Sequence, residues 1–245
     1  DMLSKLGYED SSSISPATWA DLVDALKERY APSTAQNYAH LYKTVLRWAA
    51  DRDIVGEGQI GEGKMELSTP QEHPDRYLSR DEIDKLLSYL EGDWMQLPCA
   101  LGIYQGLRRG EIRNLRGGDV DLDAMMLSVG AAGRTKNRKY RRIPIHPSLP
   151  HYLPKPLPGE DEWLVSDGHG CRRSANSITM AFRRRADAVG LEDVRFHDLR
   201  HTCASQMALS GEHTLNEISA FLGHSDIQTT QRYAHLIPAD ISLSW

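Results

Sequence analysis

Six side chains, spread over five parts of the sequence, are of the types that act on a phosphodiester. They are Arg108, Lys136, His197, Arg200, His224 and Tyr233. Two guanidinium groups can grip the non-bridging phosphate oxygens and neutralise the charge that grows during attack. A lysine can protonate a departing 5′ oxygen, and a histidine can donate to the phosphate or accept the nucleophile's proton. A tyrosine hydroxyl becomes a nucleophile as its proton is removed, and a phosphotyrosine keeps the bond energy without ATP or metal.

Each of these residues, taken alone, also has a structural explanation. An arginine such as Arg108 commonly lies on a solvated helix face, and the basic segment around Lys136 could simply be solvated. His224 follows a glycine and could end a helix, while Tyr233 could be a core tyrosine with a satisfied hydroxyl. Only the set as a whole favours phosphodiester chemistry.

Two of the histidines have a spacing that suits a metal site. His197 and His201 lie four residues apart, a spacing that suits two ligands on one face of a helix. The intervening residues lack the glutamate of a zinc protease helix, and Arg200 between them would repel a cation. The three cysteines form no Cys-x-x-Cys pair. We therefore expect no metal and no cofactor.

Composition indicates a globular protein of one large domain or two modest ones. The chain has 245 residues, of which 40% are hydrophobic and 26% are charged. No apolar run is long enough to cross a bilayer and the first residues are not a signal peptide, so we expect no membrane association and a cytoplasmic, nucleoid-associated location. The net charge of −5 argues against nucleic acid, but residues 101–150 hold 10 basic against 4 acidic side chains. This local charge favours an anionic partner.

Hydrophobic periodicity predicts a mainly α-helical chain with a small antiparallel β-hairpin, divided into two domains. Residues 1–56 should form a helical domain, with one helix from Pro16 and another after Pro32 that has Ser33 as its N-cap and apolar residues at helical spacing. Residues 57–75 have the glycine and proline content of a linker. Because the chain begins at Asp1 and this helical segment is short, we expect N-terminal residues to be missing.

Residues 76–245 should form the second domain. Its first helix begins at the capping box Ser79–Glu82. Strands are predicted at 125–129 and 140–145, joined by a basic loop. Further helices are predicted at 174–189, 198–210, 214–223 and 226–234.

The chemistry-bearing segments resemble the motifs of the tyrosine recombinases, also called the phage integrase family. Residues 106–111, Gly-Leu-Arg followed by a glutamate, resemble the first arginine box of that family. Residues 197–202 resemble its His-x-x-Arg box, and residues 222–235 resemble its closing box, including the nine-residue step to the tyrosine. The resemblance covers roughly residues 77–236. It implies a clamp of a helical core-binding domain and a mixed α/β catalytic domain around the DNA.

The resemblance also implies a role for each of the six residues. Tyr233 would be the nucleophile, and Arg108 and Arg200 would clamp the phosphate. His197 would be the base, and His224 would donate a hydrogen bond to the phosphate.

The general acid would be a lysine of the hairpin. In the family this lysine lies eight residues before a strand proline, and counting back from Pro144 gives Lys136. Lys139 is the alternative if the register differs.

The implied function is site-specific DNA recombination through a 3′-phosphotyrosyl intermediate and a Holliday junction. A type IB topoisomerase, which nicks and reseals one strand, shares the chemistry and is the nearest alternative. A non-catalytic DNA-binding regulator would need a lost catalytic group, and none is lost. A metal hydrolase would be inhibited by EDTA, whereas a recombinase of this type would not be.

Three groups of residues are candidates for DNA contact, and a solvated surface is the alternative for each group. In the first domain they are Ser33, Thr34, Asn37, Lys43 and Arg47. In the hairpin they are Arg134, Arg138 and Lys139. Around a predicted helix start, which suits phosphate, they are Arg172, Arg173, Ser174, Asn176, Arg183 and Arg184. Arg185, on the other side of that helix, is expected to be solvated.

The 12 residues after Tyr233 are rich in apolar side chains. Such a tail suggests insertion into a neighbouring protomer, which the family uses to couple four subunits on two DNA sites. Packing of the tail on its own domain is the alternative. We therefore expect double-stranded DNA recombination sites and a homotetramer as partners.

Overall fold

The computed structural model describes residues 16–54, 76–130 and 140–238. Contacts within the chain divide it into two units, Asp1–His73 and Pro74–Trp245. The described residues are mainly α-helical with one three-stranded antiparallel sheet, which confirms the predicted fold class. Within these ranges, every helix is too short or too polar to span a bilayer.

The described part of the first unit is a pair of helices, α1 (Pro16–Arg29) and α2 (Pro32–Ala50). Leu22 and Leu26 of α1 are buried with Ala35 and Ala39 of α2. The prediction that Ser33 caps α2 is wrong, because the N-cap is Ala31 and no side chain caps the helix. Proline at the first helical position has no N–H to satisfy and a backbone angle already suited to a helix.

The fully buried residues of α2 are alanines, and Tyr42 packs partly buried beside them. Tyr38, Leu41, Val45 and Trp48 are exposed. The spacing of apolar residues thus predicted the helix but not which side of it packs on α1. Small side chains at the contact allow the two helix axes to approach closely.

The second unit contains the remaining helices that the structure describes, together with the sheet. The helices are α3 (Arg80–Tyr89), α4 (Gln96–Gln105), α5 (Arg109–Ile112), α6 (Ala175–Ala188), α7 (Asp198–Leu209), α8 (Leu215–Leu222) and α9 (Gln228–Gln231). The capping box at the start of α3 is confirmed. Ser79 Oγ accepts from the backbone N–H of Glu82 at 3.3 Å, and Glu82 Oε2 accepts from that of Ser79 at 2.8 Å.

The packing of α4 on α7 forms the centre of this unit and positions the candidate site. Leu101 of α4 and Leu199 of α7 are fully buried in the same apolar core. Gly102 permits a close approach, since a Cβ atom there would lie 2.9 Å from Leu199 Cβ. This contact brings the first turn of α7 beside Gly106, the left-handed residue that ends α4.

The sheet has the strand order β1 (Val120–Asp121), β2 (Met126–Val129), β3 (Arg141–Pro144). The predicted hairpin of β2 and β3 is confirmed, with Leu127 paired to Ile143 and both side chains buried. Strand β1 is a further edge strand that the sequence patterns did not predict. The basic segment that joins β2 to β3 lies mostly outside the described residues.

Candidate active site

Arg200 is a buried arginine that joins the ends of two helices. Only 3% of the side chain is exposed. Its two terminal nitrogens donate to the carbonyl oxygen of Gly106, at 2.6 Å, and to that of Leu222, at 2.9 Å. These carbonyls end α4 and α8, where the helix dipole favours a cation. Burial, followed by the charge of Arg108, lowers the pKa of Arg200 to about 10, so the side chain remains charged at neutral pH.

Arg108 meets Arg200 across the carboxylate of Glu111. Arg108 Nη1 lies 3.0 Å from Glu111 Oε1, and Arg200 Nη1 lies 4.0 Å from Glu111 Oε2. Arg108 Nη2 donates to the carbonyl oxygen of Gly223 at 3.2 Å, next to the Leu222 carbonyl that Arg200 uses. The two sequence-predicted guanidinium groups therefore converge on one turn of the chain.

Glu111 holds this cluster of positive charge together. Its side chain is 5% exposed, and burial alone would raise its pKa. Hydrogen bonds from Arg141, followed by the backbone N–H of Arg108, hold the pKa of Glu111 below its ordinary value. The carboxylate of Glu111 is thus ionised among three arginines. Its negative charge offsets the repulsion between the guanidinium groups and keeps them close together.

His224 is presented by the turn that follows α8. Gly223 ends the helix in the left-handed conformation, with φ of 69°, and His224 comes next. Its Nδ1 lies 2.7 Å from the buried hydroxyl of Thr230. Partial burial, then the charges of Arg200 and Arg108, lower the pKa of His224 to about 4. The imidazole is therefore neutral at physiological pH and carries one N–H.

Tyr233 is buried, and its hydroxyl contacts a histidine that the sequence analysis did not assign. Only 3% of Tyr233 is exposed, and the residue packs with Ala204 and Leu222 in an apolar cluster. Its hydroxyl lies 2.5 Å from His201 Nδ1. The sequence signal for His201 is its four-residue spacing from His197, which places both rings on one face of α7.

His197 lies at the N-terminal end of α7, next to His201. The two rings meet edge to face at 4.9 Å. Desolvation by neighbouring groups lowers the pKa of His197 to about 4, and the charges of His201 and Arg200 contribute in the same direction. Part of the His197 side chain is exposed to solvent. Of the two histidines, it is His201 that contacts the hydroxyl of Tyr233. Among the described residues, no group of three or more His, Cys, Asp and Glu side chains is arranged to hold a metal ion.

The basic hairpin residues cannot be placed in this site. Lys136, Arg134, Arg138 and Lys139 all lie outside the described residues. Arg141, which begins β3, is described and contacts Glu111. Arg141 is not one of the residues that the sequence motifs predicted for the site.

The candidate DNA contacts around the start of α6 differ in solvent exposure and in their contacts with other residues. Ser174 caps the helix, and Asn176, Arg183 and Arg184 are exposed, with Arg183 paired to Asp187 at 3.0 Å.

Two arginines of the same region are engaged within the domain. Arg173 stacks over Trp94 at 3.7 Å and donates to a backbone carbonyl, and Arg172 donates to Asn114 at 2.6 Å. The expectation that Arg185 is solvated is wrong, because it forms an ion pair with Asp93 at 2.6 Å. A charged partner from a distant loop, invisible in the local sequence, holds it.

The candidate contacts of the first unit lie on α2. Ser33, Asn37 and Arg47 are exposed, and Thr34 and Lys43 are half-buried. Their exposure is compatible with DNA contact and equally with a solvated surface.

Comparison with known proteins assigns the family. Residues 76–239, more than half of the chain, match the phage integrase family. The chain belongs to the phage integrase family.

Named relatives agree with this assignment. The chain is 33% identical over 143 residues to tyrosine recombinase XerC of Xylella fastidiosa, a match that covers 54% of this chain and 45% of that protein. It is 28% identical to tyrosine recombinase XerC of Roseiflexus castenholzii, covering 89% of this chain and 72% of the relative. The chain thus spans about half the length of the first relative and most of the second.

A solved structure has the same fold. The Tn1549 transposon integrase in complex with a circular intermediate DNA superposes with a TM-score of 0.74 at 17% identity. The similarity covers 91% of this chain and 82% of that one.

Proposed function

We propose that this chain is a site-specific DNA recombinase that cleaves and rejoins strands through a 3′-phosphotyrosyl intermediate on Tyr233 and a Holliday junction. The observation that carries the proposal is the meeting of Arg108 and Arg200 within 4.0 Å of one buried carboxylate, beside the turn that presents His224. Such a cluster of charge-assisted donors suits a phosphate dianion-like transition state. Membership in the phage integrase family supports the same chemistry.

In the proposed cleavage step, the Tyr233 oxygen attacks the scissile phosphorus. The phosphorus–oxygen bond to the 5′ oxygen breaks, and that oxygen takes a proton from Lys136. His197 accepts the proton of the tyrosine hydroxyl. The reverse reaction, with a 5′ hydroxyl from the partner duplex, releases the tyrosine and rejoins the strand without ATP or a metal.

Arg108 and Arg200 would bind the non-bridging oxygens of the same phosphate. Neutral His224 would donate its one N–H, on Nε2, to that phosphate while its Nδ1 accepts from the Thr230 hydroxyl. Arg108 is the more accessible of the two arginines, with 37% of the side chain exposed against 3% for Arg200. A phosphate would therefore reach Arg108 first. Contact with Arg200 requires part of the surrounding turn to open.

Tyr233 must also change its environment before it can attack. Its hydroxyl is bound to His201, and the ring is buried among apolar side chains. The segments on either side of it are short: α9 has four residues and the 3₁₀ turn Ala234–Leu236 has three. Short helices have few internal hydrogen bonds, so DNA binding could displace this segment at low cost.

The proposed partners are two duplex recombination sites and three further copies of the chain. The tetramer would form by exchange of the apolar tail, of which residues 239–245 lie outside the described residues. Exposed basic and polar residues on α2 and around the start of α6 would bind the phosphate backbone. The location is proposed to be cytoplasmic and nucleoid-associated.

The experiment begins with DNA that the wild-type chain attaches to itself. Fragmented genomic DNA is incubated with the protein, and covalently bound fragments are recovered and sequenced. A duplex of the recovered sequence, nicked near the cleavage position so that the cleaved end diffuses away, then serves as a trapping substrate. Wild type should accumulate a covalent adduct in the presence of EDTA.

Tyr233→Phe should form no adduct, because it lacks the attacking oxygen. Tyr89→Phe is the matched control, since Tyr89 is an exposed tyrosine of α3, and its adduct yield should equal that of wild type. An adduct formed by Tyr233→Phe would contradict the assignment of the nucleophile. Relaxation of supercoiled DNA by a monomer, without sequence preference or strand exchange, would instead indicate a type IB topoisomerase.

A further inference from the structure

Two adjacent arginines at the start of β3 have opposite environments. Arg141 has 12% of its side chain exposed, whereas Arg142 has 47% exposed and pairs with Asp121 at the edge of the sheet. Alternation along a strand places neighbouring side chains on opposite faces. Arg141 therefore points into the domain and Arg142 points out.

All three nitrogens of the Arg141 guanidinium are engaged inside the domain. Its terminal nitrogens donate to the two carboxylate oxygens of Glu111, at 3.0 and 3.2 Å. Its Nε donates to the backbone carbonyl of Phe221 at 3.0 Å. A bidentate pair of this kind fixes both the position and the rotation of the carboxylate.

Arg141 also packs against the turn that carries His224. A Cβ atom at Gly223 would lie only 2.7 Å from Arg141 Nη1 and 3.0 Å from its Cζ. Phe221, which receives the Nε hydrogen bond, is in the last turn of α8. One side chain thus holds the strand, the carboxylate between Arg108 and Arg200, and the C-terminal end of α8.

We propose that Arg141 is a positioning residue for strand cleavage, acting through Glu111 and the α8 turn. It holds Glu111 where the carboxylate orients Arg108, and it holds the turn whose carbonyls receive Arg108 and Arg200. All three of its nitrogens donate to Glu111 and Phe221, so the proposal gives it the role of placing these groups and no contact with the phosphate. Precise placement of such groups governs the rate of a transfer reaction more than it governs affinity.

This inference rests on the proposed function, and its test uses the nicked duplex recovered with wild-type protein. Adduct formation is followed in single turnover over a range of concentrations of the full chain. Arg141→Met should lower the maximal rate about 100-fold, the order expected for a misplacement of about 1 Å. The half-saturating protein concentration should change less than about threefold.

Arg141→Lys keeps the positive charge but cannot bind both oxygens of Glu111 as the guanidinium does. Its rate should lie between those of Arg141→Met and wild type, within about tenfold of wild type. Arg142→Met is the matched control. It removes a neighbouring arginine whose ion pair is exposed, and its rate should stay within about twofold of wild type.

A double variant separates positioning from stability. Arg141→Met leaves Glu111 without its bidentate partner and could destabilise the fold, so circular dichroism and the melting temperature are measured for each variant. Glu111→Gln is measured as the second single variant, and in Arg141→Met/Glu111→Gln both charges are removed. Because the two residues act as one unit, its rate should match that of the slower single variant and not the product of the two losses.

Several results would overturn the inference. A folded Arg141→Met that cleaves within about twofold of wild type would remove Arg141 from any positioning role. Rate losses that multiply in the double variant would show that Arg141 acts independently of Glu111. A raised half-saturating concentration with a salt slope reduced by about one would show direct phosphate contact. Absence of an adduct with wild type would instead contradict the proposed function.

Discussion

The arginine cluster and the tyrosine segment of the second unit are built in different ways. Glu111 lies between Arg108 and Arg200, and hydrogen bonds of the two arginines link the ends of α4 and α8 to the starts of α5 and α7. Tyr233 lies between two short helical turns, and its hydroxyl is held by His201. The two arginines of the proposed phosphate site are thus held together by the fold itself, whereas Tyr233, the proposed nucleophile, is held by a separate contact with His201.

This difference has a simple physical basis. Two guanidinium groups repel each other, so they need a buried carboxylate and helix-end carbonyls to stay close, and those partners come from a rigid core. A neutral phenol can be stored in an apolar cluster with one hydrogen bond and released at modest cost. Movement is therefore expected in the segment that carries Tyr233.

The largest effect is expected from removing the central arginine. Arg200→Ala should lower single-turnover adduct formation by about 10³-fold or more, as for other arginines that stabilise a phosphoryl transition state. It should also lower the free energy of unfolding by about 2–5 kcal/mol, because two buried carbonyls lose their donor and Glu111 loses a nearby charge. Rates from quenched-flow assays and urea denaturation would measure both.

The control for this prediction is Arg195→Ala. Arg195 lies just before the same helix, is exposed, and should tolerate the change in both assays. Arg200→Lys, which keeps the charge and is easier to fold, should still cleave far more slowly than wild type. Equal cleavage rates of Arg200→Lys and wild type would show that cleavage does not depend on the geometry of the guanidinium group.

A smaller effect is expected from removing the hydrogen bond between His201 and Tyr233. His201→Ala removes the hydrogen bond to the Tyr233 hydroxyl, which is worth about 1 kcal/mol. Nitration of Tyr233 by tetranitromethane without DNA should then become about five times faster, measured by mass spectrometry of the tyrosine peptide. His169→Ala, a change at an exposed loop histidine, should leave the rate unchanged. An unaltered nitration rate in His201→Ala would show that His201 does not hold the nucleophile.

Much of the fold followed from local patterns. The capping box at Ser79, the β2–β3 hairpin and most helices of the second unit are properties of neighbouring residues, which is why periodicity and capping predicted them. The helix predicted at 226–234 is the exception, because only Gln228–Gln231 is α-helical. Convergence of Arg108, Arg200 and His224 was implied by family resemblance, and their placement here agrees with it.

The missed features depend on residues far apart in the chain. His201 at Tyr233, Arg141 at Glu111 and Arg185 at Asp93 are partnerships between distant elements. No spacing rule identifies such partners. The buried alanine face of α2 was missed for a related reason, because the side chain that packs best depends on how closely the opposing helix approaches.

The smallest expected effect is on the pH dependence of stability. His197 and His224 have pKa values of about 4 in the folded chain, below the ordinary 6.5 of histidine. The unfolded chain therefore binds more protons between these values, so stability is complete above about pH 6.5 and declines as the pH falls towards 4.

Melting temperatures at pH 7.0, 5.5 and 4.5 should show this decline. The decline should be shallower in His224→Gln, which cannot titrate. The difference between the two proteins isolates His224 from carboxylates that titrate at lower pH. Parallel curves for the two proteins would contradict a depressed pKa at His224.

Mapping the covalent bond to one residue tests whether Tyr233 is the nucleophile. The adduct of wild-type protein with the nicked duplex is digested with protease and nuclease, and the nucleotide-bearing peptide is identified by mass spectrometry. We expect a single modified peptide with the phosphate on Tyr233. A nucleotide attached to any other residue would contradict this assignment.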